Sequence, residues 1–475
     1  MSGLKWSGTS QLIRQAIQIG TTLILARILQ PMDFGLMGMA IVIIGFLNVF
    51  KDVGTSAAII QKQNISQQLL SSIFWLNVFI GIVISVIIFF TSNILAHIFN
   101  EERLGNIIRF FIITFFSGTL ISIQQALLEK EMSFKKLARY EIIAVLIGAI
   151  VGIYSAYNGF GVWSLVLQTT SASIVLCVFL WLQPSHWTPM IYFQWSDIKT
   201  IHSFSSNLTG FTIVNYFLRN ADSFIIGRFL GATDLGFYSL AYKVMIVPLQ
   251  NLTAVISRVM FPLLSSINND NMKMRETYSK IVLSIAFFSF PFFAWLMLVN
   301  NEFVSVIFGE RWLPVAPILF ILSPVGLFQS IDTTTGSLFQ AKGRTDILFL
   351  WSIFTGIIAV TSFYLGLPWG LKGVALGYVI ATILWTYHGF SIPLKLIEQN
   401  VFRFFSQFSR IVVTVVAAYF IALYLKQGTA IVFLNNRDKL ITVTVVMFVI
   451  YFCLSFIFNR FQLKQLHNVV ITKSS

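Results

Sequence analysis

Arg14, Arg219, Asp222, Lys243 and Asp332 fall inside long apolar stretches, where an ionised side chain costs a few kcal/mol or more unless it is paired or wetted. Such residues mark routes for ions or polar cargo through a membrane. Around the first of them, Gln11, Arg14, Gln15, Gln18, Thr21 and Thr22 recur three and four apart, so one helical face carries them all. Thr212, Asn215, Tyr216, Arg219, Asp222 and Ser223 repeat the spacing. A slide of 201 positions superposes the two sets, together with Arg27 on Arg228, Asp33 on Asp234 and Gly35 on Gly236.

Two polar stripes on otherwise apolar helices predict facing walls of a wetted, cationic cavity. Its candidate lining residues are Arg14, Gln18, Asn215, Arg219, Asp222 and Lys243, whose positive balance suits a phosphate-bearing cargo. Each charge also has a plainer reading. Arg14 is near enough to the cytoplasmic surface to snorkel, Asp222 can neutralise Arg219 within the helix, and Lys243 lies close to the outer surface. Asp222 and Asp332 are the candidates for ion coupling, although Asp332, beside Thr333, Thr334, Thr335 and Gly336, can equally cap a helix end. Arg27 with Asp33, and Arg228 with Asp234, recur at a helix turn in both copies. A salt bridge or cap that fixes the turn, with Gly35 or Gly236 allowing close packing, stands beside gating of the outer mouth.

The elements that position these residues are membrane helices. Of 475 residues, 56% are hydrophobic, 15% aromatic and only 11% charged, far from a soluble composition. The apolar runs are about 20 residues long, the length that crosses a hydrocarbon core of about 30 Å as a helix, and the short alternating strands of a barrel are missing. About fourteen spans are expected, from Gln11–Leu29 to Leu440–Phe458, with the first retained rather than cleaved as a leader. The fold class is therefore an all-α integral membrane protein. Beyond the opening stretch, Ile307-Phe308-Gly309-Glu310-Arg311 echoes Ile98-Phe99-Asn100-Glu101-Glu102-Arg103, and Gly373-Val374 echoes Gly161-Val162. Residues 1–200 and 201–395 thus read as two six-helix lobes entering the membrane in the same direction, a parallel repeat. Residues 396–475 add two C-terminal helices and a tail.

Lysines and arginines in short loops, such as Lys130, Lys135, Lys136 and Arg139, set the orientation, with both termini in the cytoplasm. The net charge of +14 has no soluble basic domain behind it, so nucleic acid is not a partner. Prolines inside spans, Pro248, Pro291 and Pro324, predict bends. Cys177 and Cys453 lie in spans and read as packing residues. The five histidines match no metal-ligand spacing, and no phosphate loop, nucleophile elbow or zinc signature occurs. No cofactor and no catalytic residue are expected, and enzymatic chemistry has no visible home in the chain.

Three stretches carry a family resemblance: Trp6-Ser7-Gly8-Thr9-Ser10-Gln11, Leu25-Ala26-Arg27-Ile28-Leu29-Gln30-Pro31-Met32-Asp33-Phe34-Gly35-Leu36, and Val53-Gly54-Thr55-Ser56-Ala57-Ala58-Ile59-Ile60-Gln61. They resemble the polysaccharide biosynthesis and export proteins of the multidrug/oligosaccharidyl-lipid/polysaccharide flippase superfamily, and within it the lipopolysaccharide and colanic-acid type exporters. Phe134-Lys135-Lys136-Leu137-Ala138 is similar to that branch as well. The resemblance implies a bacterial inner-membrane flippase that moves undecaprenyl-pyrophosphate-linked oligosaccharide to the periplasmic leaflet through a cationic cavity between two lobes. It implies cavity roles for Arg14 and, as its counterpart, Arg219. Membrane lipids and the glycan polymerase machinery would be partners. A drug-cation antiporter of the same superfamily is the alternative, and a membrane glycan polymerase or ligase is disfavoured by the short outer loops.

Overall fold

A computed structural model describes the backbone of residues 2–50, 59, 65–183 and 187–459. Side chains of residues 2–5, 7, 196–211, 213, 251–259, 429 and 430 are outside that description. The Val53–Gln61 stretch, apart from Ile59, and the basic tail with Arg460 and Lys464 also lie outside the described residues. Among the described residues every regular element is a helix. Ten stretches are long and apolar enough to cross a membrane. One of these, 345–395, is a pair of helices joined by a tight turn.

The chain divides into two compact units, Met1–Gly236 and Phe237–Ser475. The first holds α1 (Ser2–Ile28), α2 (Pro31–Asn48), α3 (Gln67–Ile98), α4 (Arg103–Lys130), α5 (Phe134–Tyr157), α6 (Val162–Leu182), α7 (Trp195–Phe229) and the first turn of α8 (Ala232–Ser266). Helix α1 packs on α5, α5 on α6, and α7 on α2 and α3. Leu25, Leu29, Ala156 and Leu165 form a small core joining α1, α5 and α6. Lipid removes most of the hydrophobic drive for helix pairing, so small residues and hydrogen bonds carry it. A Cβ on Gly148 of α5 would come within 2.6 Å of the Gln168 carbonyl on α6, so glycine sets that approach. Between α4 and α6, Thr114 meets Thr170 at 2.8 Å and Ser117 meets Ser173 at 2.7 Å. Each such pair contributes about 0.6 kcal/mol in a bilayer.

The connector from α6 to α7 is stitched to the start of α3. Gln67 Nε2 donates to the Thr188 carbonyl at 2.6 Å and Trp75 Nε1 to that of Met190 at 2.8 Å, while the Met190 and Gln194 amides donate to Ser71 Oγ and Ser72 Oγ. These bonds satisfy a backbone that belongs to no helix.

The second unit continues from α8 through α9 (Asn271–Leu298), α10 (Asn300–Ile307), α11 (Val315–Asp332), α12 (Thr335–Ala341), α13 (Thr345–Gly366), α14 (Gly370–Lys395), α15 (Val401–Ser406), α16 (Ser409–Gln427), α17 (Thr429–Val432) and α18 (Asn436–Phe458). Its core sets the aromatic rings of Tyr278, Phe287, Phe290, Phe390, Phe404, Phe408 and Tyr451 among aliphatic side chains such as Ile411 and Val415, and so joins α9, α14, α15, α16 and α18. The last long helices, α16 and α18, therefore share a core with the repeat helices of this unit. Pro248, Pro291 and Pro324 sit inside the continuous helices α8, α9 and α11. Large apolar side chains such as Phe79, Phe90, Ile383 and Phe420 point outward, as expected where the surroundings are hydrocarbon.

Candidate functional site

Arg14 on α1 is held from the neighbouring helix. Its Nη1 lies 2.8 Å from Oε2 of Glu141 on α5, with 31% and 16% of the two side chains exposed. The Arg14 Nε is buried and makes no hydrogen bond. Lower down the same face, Thr21 and Thr22 donate to the carbonyls of Ile17 and Gln18 at 2.7 and 2.8 Å, so both hydroxyl protons are spent on their own helix. The Gln18 side chain is exposed. Sequence reasoning passed over Glu141, which stands one residue ahead of an expected span; its signal was an acid at a helix position that α1 can cover.

The stripe on α7 is divided rather than continuous. Tyr216 turns to α2, where its hydroxyl donates to the Val42 carbonyl at 2.8 Å and lies 3.2 Å from that of Ile41. Gly45 makes room for the ring, since a Cβ there would come within 2.3 Å of the hydroxyl. Asn215 is half-buried and Arg219 is exposed. Asp222 is only 6% exposed, and its Oδ1 accepts from the Ser223 amide at 2.6 Å. On α7, Tyr216 thus fastens the helix to α2, while Arg219, one turn further on, stays exposed.

In the second unit, Lys243 on α8 is exposed. Asp332 ends α11, where its Oδ1 is buried without a hydrogen-bond partner and lies 3.2 Å from where a Cβ on Gly389 would sit. Thr333, Thr334 and Thr335 donate to carbonyls of their own turn, and Thr334 also meets the Tyr278 hydroxyl at 3.0 Å.

At the helix turn, Asp33 closes a capping box: the Gln30 amide donates to its Oδ2 at 2.9 Å, at the start of α2. Arg27 is exposed. The Arg228 guanidinium lies 5.9 Å from the Phe229 ring centroid, and Asp234 is half-buried in the first turn of α8. The glycines at the two turns meet. A Cβ on Gly35 would stand 1.6 Å from the Ala232 carbonyl oxygen, and one on Gly236 would stand 2.0 Å from that of Pro31. Pro31 and Ala232 are themselves 201 positions apart, so the contact is reciprocal between repeat-related turns.

The family described as polysaccharide biosynthesis protein matches residues 24–317. The lipopolysaccharide biosynthesis protein WzxC of Escherichia coli (strain K12) is 31% identical over 409 residues, covering 85% of this chain and 82% of its own. The teichuronic acid biosynthesis protein TuaB of Bacillus subtilis (strain 168) is 28% identical over 390 residues, 81% of this chain and 80% of its own. Among solved structures, the lipid II flippase MurJ in an inward closed conformation superposes with a TM-score of 0.76 at 16% identity, over 96% of this chain and 98% of its own. An inward-facing multidrug resistance MATE family transporter of the MOP superfamily gives 0.61 at 16% identity, over 81% and 94%. The fold is the one these transporters share, and by the family match and the extent of its likeness to WzxC the chain belongs to the polysaccharide biosynthesis protein family.

Proposed function

We propose that this protein is a flippase that carries a polyprenyl-pyrophosphate-linked oligosaccharide, an O-antigen or exopolysaccharide repeat unit, from the cytoplasmic to the periplasmic leaflet. The observation that carries the reading is an exposed guanidinium, Arg219, on an apolar helix repeat-related to the one bearing Arg14. It stands in a chain that is similar over most of its length to a lipopolysaccharide biosynthesis protein. Arginine binds phosphate oxygens through a planar fork, so Arg219 takes the pyrophosphate first. Arg14, neutralised by Glu141 in the resting arrangement, exchanges that carboxylate for the cargo. Gln18 and Asn215 supply uncharged hydrogen bonds, and Lys243 is kept as a further candidate cation. The glycan stays in water and the lipid tail in the bilayer while the two repeats, residues 1–200 and 201–395, rock in alternating access. Asp222 and Asp332 are kept as the groups that would couple an ion.

The membrane potential alone can set direction. Moving about two negative charges outward across roughly 100 mV, inside negative, gains about 4 to 5 kcal/mol. The full reading has fourteen spans in the bacterial inner membrane, both termini in the cytoplasm, and the glycan polymerase machinery receiving the product. A drug-cation antiporter is the second reading, favoured by the fold likeness to the multidrug transporter and by buried Asp222; the cationic character of Arg219 opposes it.

Deleting the gene in a strain without a redundant exporter tests the proposal. Lipid-linked oligosaccharide should accumulate on the cytoplasmic side and surface polysaccharide should disappear. Normal levels of both would end the flippase reading.

A further inference from the structure

Helices α13 and α14 form an antiparallel hairpin turned by Leu367-Pro368-Trp369. Glycines bring their backbones together: a Cβ on Gly373 would stand 2.2 Å from the Gly366 carbonyl oxygen, and one on Gly377 would stand 2.5 Å from that of Ser362. Gly366, Gly373 and Gly377 also line an open groove of about 630 Å³ that runs along the hairpin. Its walls include Ile357, Leu365, Leu376, Ile380 and Leu384. The hydroxyls of Thr361 and Ser362, which also line it, donate to Ile357 and Ala359 carbonyls at 2.9 and 2.7 Å. The groove therefore offers no hydroxyl proton and is apolar along its length.

Its ends differ. Exposed Lys372 and Trp369, the latter 75% exposed, stand at the turn. The other end is Ile357 and Leu384. From Gly373 to Leu384 a helix rises about 16 Å, which matches one leaflet of a hydrocarbon core about 30 Å thick. A tryptophan and a lysine at one end place that end at the headgroup level.

We infer that the α13–α14 groove is a binding site for one anionic glycerophospholipid, with an acyl chain along Leu376, Ile380 and Leu384 and the headgroup phosphate at Lys372. The depth selects a single leaflet's acyl chain, and the lysine selects negative charge. The site is independent of the cargo pathway, since none of the proposed cargo residues lines it.

The purified full-length protein, titrated with phosphatidylglycerol or phosphatidylethanolamine in detergent, tests this by native mass spectrometry and thermal melts. Phosphatidylglycerol should form a single persistent adduct and raise the Tm, because a ligand bound only to the folded state stabilises it. Ile380→Trp, which fills the groove, should cut the adduct at least tenfold and abolish the Tm rise. Lys372→Glu should weaken phosphatidylglycerol binding about fivefold or more, as expected for loss of one basic contact at a lipid surface, and leave phosphatidylethanolamine unchanged. If Ile380→Trp is not monodisperse, Leu384→Trp replaces it. Equal adducts in wild type and the filled variants, no preference for phosphatidylglycerol over phosphatidylethanolamine, or a dimer mass that Ile380→Trp dissolves would each overturn the assignment; the last would give the groove to a second copy of the chain.

Discussion

The Ala232 carbonyl oxygen stands 1.6 Å from the position a Cβ on Gly35 would take, and Gly236 faces the Pro31 carbonyl in the same way. No side chain fits at either place, so two helix starts related by the 201-residue repeat touch backbone to backbone.

Gly35→Ala and Gly236→Ala must each push the helix starts apart, because the contacting atoms are backbone and cannot rotate away. Overpacking of this kind costs about 1–3 kcal/mol, and a lower Tm is expected for both in fluorescence-detected gel filtration after heating. Gly20→Ala is the control. A Cβ there meets nothing within 4 Å, and alanine favours a helix by up to about 1 kcal/mol. Unchanged melting of the Gly35 and Gly236 variants would show that the turns are free to separate.

Arg14 and Glu141 can be tested for charge sign as well as pairing. The swap Arg14→Glu with Glu141→Arg keeps an ion pair between α1 and α5, so membrane abundance should stay near wild type. Export should still fall at least tenfold, since the cation now projects from the wrong helix. Surface polysaccharide at the wild-type level in the swapped protein would reduce Arg14 to a structural partner of Glu141.

Arg219 should tolerate no neutral replacement. A hydrogen bond to a charged group contributes about 1.5–3 kcal/mol, so Arg219→Ala is expected to slow export roughly tenfold or more at equal abundance. Arg219→Lys should keep part of the activity, because the charge remains and the planar fork does not. The readout is cytoplasmic-side accumulation of lipid-linked oligosaccharide, and equal export by all three proteins would dismiss the phosphate role.

Lys426 and Glu302 make a pair of a different kind, in which the carboxylate is buried and the lysine partly so. Lys426 Nζ lies 2.8 Å from Glu302 Oε2 and donates to the Leu298 carbonyl at 2.6 Å, tying α16 to α10 and the end of α9. The side chains are 18% and 8% exposed. Lys426→Ala strands the carboxylate and should cost about 3–5 kcal/mol, whereas the joint change Lys426→Met with Glu302→Leu should come close to neutral. Thermal melts of both variants decide it. A single mutant as stable as the double one would mean that Glu302 is solvated after all.

Much of this protein is written in residue order. Apolar runs of membrane length force helices, because nothing else satisfies the backbone in hydrocarbon. The recurrence of Arg27, Asp33 and Gly35 as Arg228, Asp234 and Gly236 exposes the repeat in the residue order itself, and the stripe through Arg14 follows from helical period alone. Periodicity tells which residues share a face; it does not tell which helix covers that face. That is why the tertiary structure alone paired Arg14 with Glu141 and turned Tyr216 onto α2, away from the stripe it shares with Arg219. The reciprocal seating of Gly35 and Gly236, and the groove that Gly366, Gly373 and Gly377 open between α13 and α14, depend on distances between backbones far apart in sequence. Glycine marks where a close approach is permitted, and only packing decides against what.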